Sequence, residues 1–377
     1  MRIAMLTDCY LPRLGGIEVQ VHDLTARLVQ RGHDVEVFTL APGGSGQRRG
    51  ATEILDGVRV HRLGLVDLPR GMLVNPLAGW WARSRLRGFD VGHVHMGVVS
   101  PFATDATFLA RHLGLPTTMT WHCVLHRTEP AIKALGVVRR WAQTGLAMNA
   151  VSDVAAAPLR RIVGPSVPIP VLPNGIDAHL WRPTGPRPPR DPGVVRIVTA
   201  MRLELRKRPA ALVEAVARVR TASPSGVDVR LEILGEGPER GRLERRAVEL
   251  GASGWLSLPG RVPRESLKDR YAAADVYVSP SVLESFGIAA LEARTTGLPV
   301  VSRSGSGVQE FVVDGVNGLL APTDEDLVDG LARLVADRGL RERMTAYNLA
   351  NPPSQDWAEV VRLAEREYDR ARRGRSG

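Results

Sequence analysis

The sequence predicts an α/β protein of two domains, each built on a doubly wound parallel sheet. Three observations carry that prediction. Short apolar runs of strand character alternate with helical periods along most of the chain, the pattern of parallel strands joined by crossover helices. The segment Trp181-Arg-Pro-Thr-Gly-Pro-Arg-Pro-Pro-Arg-Asp-Pro-Gly193 breaks the pattern once, and its proline density sustains neither helix nor sheet. The length of 377 residues fits two domains of roughly 180 residues better than one.

In the first half, Ile3–Leu6 reads as a strand and Ile17 to Gln30 as an amphipathic helix closed by Gly32. Strands follow at Val35–Leu40, Val58–Leu63, Val91–His95, Thr117–Trp121 and Ala147–Val151, with helical stretches between most of them. Pro173-Asn174-Gly175-Ile176-Asp177 reads as a turn and hinge. After the proline-rich break a second series starts at Val194–Thr199 and continues through Val229–Leu234, Trp255–Leu258, Asp275–Ser279 and Val300–Ser302. Between the last two strands, Ile288 to Thr296 reads as a helix. The expected domains are therefore 1–180 and 194–350. The remainder, 351–377, carries an amphipathic helix with Trp357, Val360, Val361, Ala364 and Tyr368 on one face. Residues 370–377 are expected to fray.

Composition excludes several function classes. The sequence holds no run of eighteen apolar residues, so no helical membrane span is expected. Met1-Arg-Ile-Ala-Met-Leu-Thr-Asp8 reads as a first strand, not a signal peptide. The two cysteines, Cys9 and Cys123, give neither a disulfide framework nor metal-ligand spacing. A cytoplasmic location is the expectation, with peripheral contact at the inner face of a membrane. The formal charge of +10 is carried almost wholly by arginine. It comes without a long basic run, a zinc pattern or an aromatic RNA motif, so nucleic acid is not an expected partner. An anionic substrate or an anionic membrane surface is compatible with it. Met72-Leu-Val74, Leu77 and Trp80-Trp81 followed by Arg83, Arg85 and Arg87, and a second stretch from Ala131 to Met148 with Lys133, Arg139, Arg140 and Trp141, combine apolar and basic faces as a membrane-surface helix does. A surface helix with its apolar side in the core reads the same way.

The chemistry concentrates in Glu284-Ser-Phe-Gly-Ile-Ala-Ala-Leu-Glu292. This segment follows an apolar strand and opens a helix, so a carboxylate and a glycine lie at a strand's carboxyl end, where open α/β sheets place ligands. Gly287 allows backbone N–H groups to approach an anion at the helix N-terminus. A glycosidase pair is a poor reading: eight helical positions separate two carboxylates by about 12 Å along the axis, against the roughly 5–10 Å that such chemistry needs. Upstream, Met201-Arg202-Leu-Glu-Leu-Arg-Lys207-Arg-Pro209 follows the first strand of the second domain. Fixed cations there suit a leaving group that gains negative charge. The chain has three lysines, Lys133, Lys207 and Lys268. A lysine at 207 among arginines therefore suggests a specific need.

These segments resemble retaining glycosyltransferases of the GT-B fold, in particular the large family 4. The resemblance covers almost the whole chain in order: Gly15-Gly16, His122, Asn174-Gly175, Arg202 and Lys207, Gly235-Glu-Gly-Pro238, then Glu284 and Glu292. It implies two Rossmann-like domains facing across a cleft, the first binding the acceptor and the second a nucleotide sugar. The last helix of such enzymes crosses back to the first domain. By the same resemblance, Arg202 and Lys207 neutralise the diphosphate, and Glu284 with Phe286, Gly287 and Ile288 grips the sugar. Glu292 holds the ribose hydroxyls. Gly16, Gly235, Arg261 and Val262 complete the donor site. His122 approaches the reacting sugar, and Gly15 serves the acceptor. His95 ends the neighbouring strand, where it lines the acceptor side of the pocket or is a satisfied structural histidine. No metal or other cofactor is expected. Trp121, where many relatives have aspartate, and Arg303-Ser304, where a Gly-Gly is missing, depart from the pattern.

Gly-Gly-Ile-Glu18, Arg31-Gly-His33 and Asp105-Ala-Thr-Phe-Leu-Ala110 look most like the GlcNAc-transferring subunit of glycosylphosphatidylinositol synthesis. That favours UDP-GlcNAc as donor, with an inositol phospholipid or a cell-envelope glycan as acceptor. Phosphatidylinositol mannosyltransferases are similar and imply GDP-mannose instead. A nucleotide-sugar epimerase or a non-catalytic nucleotide-sugar binder shares the fold. The first would need further acid and base carboxylates in the first domain, where no convincing set is present.

Overall fold

A computed structural model describes all residues except 14, 44–50, 65, 69–71, 75–77, 127, 184, 186–190, 192 and 375–377. The chain forms two compact units. One comprises Met1–Gly175 with Gln355–Gly377, and the other Ile176–Ser354.

The first unit is built from strands β1 (Arg2–Thr7), β2 (Asp34–Thr39), β3 (Thr52–Leu55), β4 (Val58–Arg62), β5 (Val66–Leu68), β6 (Met72–Val74), β7 (Val91–Met96), β8 (Thr117–Trp121) and β9 (Ala147–Ala150). Seven of them form one sheet in the order β3-β4-β2-β1-β7-β8-β9, with β5 and β6 as a separate two-stranded sheet. All neighbours in the large sheet are parallel except β3 and β4. The strands are apolar runs because helices cover both faces, leaving β7 and β8 buried along their length.

The last helix, Trp357–Arg373, belongs to this unit. It buries Trp357, Val360, Val361, Ala364, Tyr368 and Ala371 in a cluster with Ile3, Met5, Val37 and Val91. Each large side chain buried there contributes on the order of 1.5–3 kcal/mol. Gly175 lies beneath it, where a Cβ would come within 2.4 Å of the Trp357 ring. The Gln20 side-chain amide both donates to and accepts from the Gly175 backbone, at 3.0 and 2.8 Å.

The second unit has strands β10 (Val194–Ala200), β11 (Asp228–Leu234), β12 (Leu256–Gly260), β13 (Val276–Ser279), β14 (Val300–Arg303) and β15 (Gly318–Ala321). They form a six-stranded sheet in the order β12-β11-β10-β13-β14-β15, parallel throughout. Strand order reverses between β10 and β13 here, and between β1 and β7 in the first unit. Such switch points open a crevice at the carboxyl ends of the strands.

Four strands were not expected from sequence: β3, the paired β5 and β6, and β15. β3 is a short, half-exposed antiparallel edge, and β15 is hidden behind the turn residues Asp314-Gly-Val-Asn-Gly318. The stretch expected as one helix from Ala131 to Met148 is broken. Gly136 takes φ +66° between helices Glu129–Leu135 and Val137–Gln143, and Ala147 already belongs to β9. Val138 and Trp141 are buried there while Lys133, Arg139 and Arg140 are exposed. In the other membrane-surface candidate, Trp80 is 76% exposed on the helix Ala78–Arg85. Leu77 and the side chains of Met72–Val74 and Trp81 lie outside what is described. So does most of the proline-rich segment.

Candidate active site

In the second unit the two strands flanking the switch point each deliver one charge. After β10 the chain passes Arg202 and makes a short 3-10 turn, Leu205–Lys207. After β13 it passes Ser281 to Glu284. The Lys207 Nζ donates to a Glu284 carboxylate oxygen, and both side chains are largely sheltered. Arg202 is half-exposed and meets Glu204 at 3.0 Å, which Arg206 also meets at 2.8 Å.

Glycines bring the neighbouring loops together backbone against backbone. Gly235 takes φ +142°, and a Cβ there would come within 1.9 Å of the Met201 carbonyl oxygen. Its N–H donates to the Gly260 carbonyl at 2.8 Å, so the turn carrying Arg261 and Val262 lies beside it. Arg261 is exposed and Val262 half-buried.

Gly287 starts the helix Ile288–Thr295 at φ +92°. A side chain would be strained there, and its Cβ would meet Val308 at 2.7 Å. Phe286 is buried against Phe311, ring centroids 5.5 Å apart, so its ring anchors the loop, and Gly307 packs against its backbone, a Cβ there coming within 2.5 Å of the Phe286 Cα. The Gly307 N–H donates to the Glu284 carbonyl at 2.8 Å. Glu292 lies on this helix, 6% exposed, with Arg264 Nε 3.8 Å away. Burial, then the Glu292 charge, pushes the Tyr271 hydroxyl well above its ordinary range. Burial does the same to Tyr277, whose hydroxyl reaches the Ala200 carbonyl at 3.5 Å.

The first unit's switch point is lined by imidazoles. His93 and His95 alternate along β7, on one face of the strand, and their rings stack with centroids 4.1 Å apart. His122 follows β8. His95 Nδ1 lies 3.0 Å from His122 Nε2, and His95 Nε2 is buried without a partner among the described residues. The Thr120 hydroxyl donates to Asn149 Oδ1 at 2.7 Å and therefore accepts from His93 Nε2 at 2.8 Å. His93 Nδ1 then accepts from the Tyr368 hydroxyl at 3.0 Å. Asn149 Nδ2 in turn donates to Glu367 at 3.0 Å. Burial lowers His93 to about 3 and His122 to about 4, and holds His95 well below its ordinary value. All three are neutral at physiological pH. A pocket with room for a water molecule lies against His93, His95, Thr120, His122, Asn174 and Trp357.

Gly15 and Gly16 open the helix Gly16–Gln30. Gly15 is extended (φ −164°), and its missing side chain leaves room for the Glu18 carboxylate, 2.4 Å from where a Cβ would stand. Leu14 beside it lies outside the described residues. The structure thus gathers Arg202, Lys207, Gly235, Arg261, Val262, Glu284, Phe286, Gly287, Ile288 and Glu292 in one unit, and Gly15, Gly16, His95 and His122 in the other.

Two family descriptions divide the chain between them. Glycosyltransferase Family 4 matches residues 14–180 and Glycosyl transferases group 1 matches 187–350. A D-inositol 3-phosphate glycosyltransferase of Kribbella flavida is 31% identical, over 88% of this chain and 84% of its own length. One from Xylanimonas cellulosilytica is 30% identical, over 92% and 89%. The chain belongs to glycosyltransferase family 4. The gpi3 subunit of the phosphatidylinositol N-acetylglucosaminyltransferase of Schizosaccharomyces pombe is 25% identical, over 97% of this chain and 80% of that one. Among solved structures, Anabaena HepE in complex with UDP and glucose superposes with a TM-score of 0.77 at 17% identity, covering 98% of this chain and 99% of that one. The two doubly wound units are those of the GT-B fold, and the protein is a glycosyltransferase.

Several parts of this family 4 enzyme were not singled out from sequence. Asp8, at the end of β1, accepts from the Phe102 and Ala103 N–H groups at 3.0 and 2.9 Å and so caps the helix Pro101–His112. Burial raises its carboxyl to about 6 against the pull of those donors. His93, Arg208 and Asp324 were likewise passed over, and Tyr368 was read only as part of an apolar helix face. Burial also pushes Cys9 up to about 11 and Cys123 to about 12, so neither thiol is an ionised nucleophile at neutral pH. Among the described residues, no group of three or more His, Cys, Asp or Glu side chains is placed to hold a metal ion. No described helix is long and apolar enough to cross a membrane.

Proposed function

We propose that this enzyme transfers a sugar from a nucleotide sugar, UDP-GlcNAc before GDP-mannose, to a hydroxyl of an inositol-bearing acceptor, with retention of anomeric configuration and without a metal. The observation that carries the donor half is the Lys207–Glu284 pair across the second unit's switch point. A departing diphosphate gains negative charge as the glycosidic bond breaks. Lys207 and Arg202 supply fixed positive charge there, the task a divalent cation performs elsewhere. Glu284 and the Gly287 loop hold the sugar, and the Glu292 carboxylate accepts from the ribose hydroxyls. The Glu284 carboxylate is paired with Lys207, which fits attack by the acceptor, not by a protein nucleophile, on the face the diphosphate leaves.

The acceptor half rests on two kinds of support. Relatives named for phosphatidylinositol and for D-inositol 3-phosphate both act on an inositol, and the first unit offers neutral imidazoles, the polarity suited to sugar-like hydroxyls. His122 has Nε2 engaged by His95, so Nδ1 is the atom left to meet a hydroxyl. The exposed Trp80 with nearby arginines is suited to peripheral contact with a membrane.

The test is nucleotide release from a panel of UDP- and GDP-sugars, with chelator present. Inositol 3-phosphate, phosphatidylinositol vesicles or no acceptor is added. Release from UDP-GlcNAc that requires an inositol acceptor supports the reading. Release abolished by chelator, or conversion of the donor into another sugar without acceptor, overturns it. Glu292→Ala is expected to raise the donor KM sharply while the fold persists.

A further inference from the structure

Arg208 holds a backbone conformation that an arginine does not choose. Among the described residues, two that are not glycine have positive φ: Asp56 at +49° and Arg208 at +57°. Asp56 precedes Gly57 in the tight hairpin between β3 and β4, where the left-handed region is ordinary. Arg208 lies in no hairpin. It precedes Pro209 at the start of the helix Pro209–Ala222, with ψ +46°. A left-handed backbone is strained for a residue bearing a Cβ, and a following proline disfavours helical backbone further. Strain of this kind persists where the surroundings over-determine it, and it clusters at functional sites.

The side chain supplies that determination. Arg208 forks onto Asp324, with Nη1 to Oδ1 at 2.8 Å and Nη2 on the other oxygen. Its Nη1 also reaches the Pro280 carbonyl at 3.3 Å. Arg303 donates to the same carboxylate and, through Nε, to the Ala321 carbonyl at 3.1 Å. Asp324 thus gathers two guanidinium groups, which hold its carboxyl below the usual range, Arg208 foremost. The knot ties the loop after β10, the loop after β13, the end of β14 and the loop after β15. These are the carboxyl-end segments that surround the donor site.

Lys207 is the neighbouring residue. Lysine carries its charge on a long, flexible stem, so its placement depends on a fixed backbone. The left-handed turn at 208 sends consecutive cations to opposite stretches of one loop, Lys207 to Glu284 and Arg208 to Pro280 and beyond. We propose that Arg208 and Asp324 are a positioning pair that holds Lys207 in register with the departing diphosphate, with Arg303 as the second anchor on Asp324. This inference rests on reading Lys207 as the diphosphate cation.

The test uses the full chain and measures nucleotide release from UDP-GlcNAc and from GDP-mannose, with thermal midpoints alongside. Arg208→Gly relieves the strained backbone, so a midpoint close to wild type is expected. Its kcat is expected to fall roughly 10²-fold, the effect of an ångström-scale misplacement, with the donor KM little changed. Asp324→Asn, which leaves the backbone alone, is expected to fall in the same direction and carries the test if Arg208→Gly unfolds. Arg208→Lys keeps a charge without the fork and is not expected to restore turnover. If Arg208 acts through Lys207, the double variant Lys207→Ala with Arg208→Gly is no slower than Lys207→Ala alone. Wild-type kcat in both Arg208→Gly and Asp324→Asn overturns the proposal, and so does a double variant whose losses multiply. Wild-type turnover in Lys207→Ala would instead sink the donor-site reading itself. A slow Lys207→Ala beside a fast Arg208→Gly removes only the positioning pair.

Discussion

The two sheets share one topology and place opposite chemistry at the same point. Leaving aside the antiparallel edge β3, both run third, second, first, fourth, fifth, sixth in chain order, reversing between their first and fourth strands. At the first unit's reversal stand three imidazoles, His93 stacked on His95 and His95 hydrogen-bonded to His122, all held neutral by burial. At the second unit's reversal stand an ammonium, two guanidinium groups and two carboxylates, paired and part-exposed. A doubly wound sheet therefore fixes where a ligand goes and leaves its polarity to a handful of side chains on the loops. Neutral groups suit hydroxyls, and clustered cations suit a diphosphate.

The largest effect expected from that difference is a one-sided response to acid. In the unfolded chain a histidine binds its proton near pH 6.5, while His93 and His122 stay neutral in the folded state down to about 3 and about 4. Below 6.5 the unfolded state binds more protons, so stability is lost as pH falls toward 4. The loss is about 1.4 kcal/mol per pH unit for each such histidine. The second unit's only histidine is the exposed His179. Its depressed carboxylates, among them Asp324, give up their contribution only below the ordinary carboxylate range. Hydrogen exchange at pH 7.5 and pH 5, corrected for intrinsic rates, is expected to show lost protection across residues 91–122 and little change across 276–303. Unchanged protection across residues 91–122 would mean that the imidazoles titrate normally.

Next in size is the loss of a single charge at the second unit. Lys207→Ala is expected to lower turnover by roughly 10²–10³, the effect of removing one group that stabilises developing negative charge. Its circular dichroism should match wild type. His122→Gln keeps a neutral hydrogen-bonding group and is expected to cost far less. If the two losses prove equal, polarity is not what separates the two sites.

How much of this could be read beforehand follows the range of the interactions. The second unit's charges were visible because Lys207 and Glu284 each stand a few residues past an apolar strand, a local signal. The Arg208 knot was not, because Asp324 lies 116 residues away and no local rule joins a residue before a helix to the start of another helix. His93 is intermediate. Its alternation with His95 along one strand was a usable signal that both rings share a face. Its hydrogen bond to Tyr368, 275 residues distant, depends on the last helix packing in the first unit. That helix's apolar face was legible from its period, and its return to the first domain was an expectation only of the family resemblance. β15 was missed because four residues beginning with a glycine give too short a run for alternation to register.

Asp8 provides the smallest and most exacting test of the first unit, because its sign opposes that of the histidines. Its folded-state value near 6 lies above the ordinary 3.8. Between those two values the folded state binds the extra proton, so Asp8's contribution to stability falls as pH rises. The total is about 3 kcal/mol for a shift of this size. Asp8→Asn removes the charge and keeps one oxygen for the Phe102 and Ala103 N–H groups, at the cost of roughly one hydrogen bond. The variant is therefore expected to be less stable than wild type at pH 4 and to recover by a few kcal/mol by pH 7.5. Urea midpoints for both proteins across that range measure the difference directly, and the histidines cancel from it because they are common to both. A difference that stays constant with pH would show that Asp8 is ionised throughout, so that the carboxyl end of β1 is as hospitable to charge as that of β10.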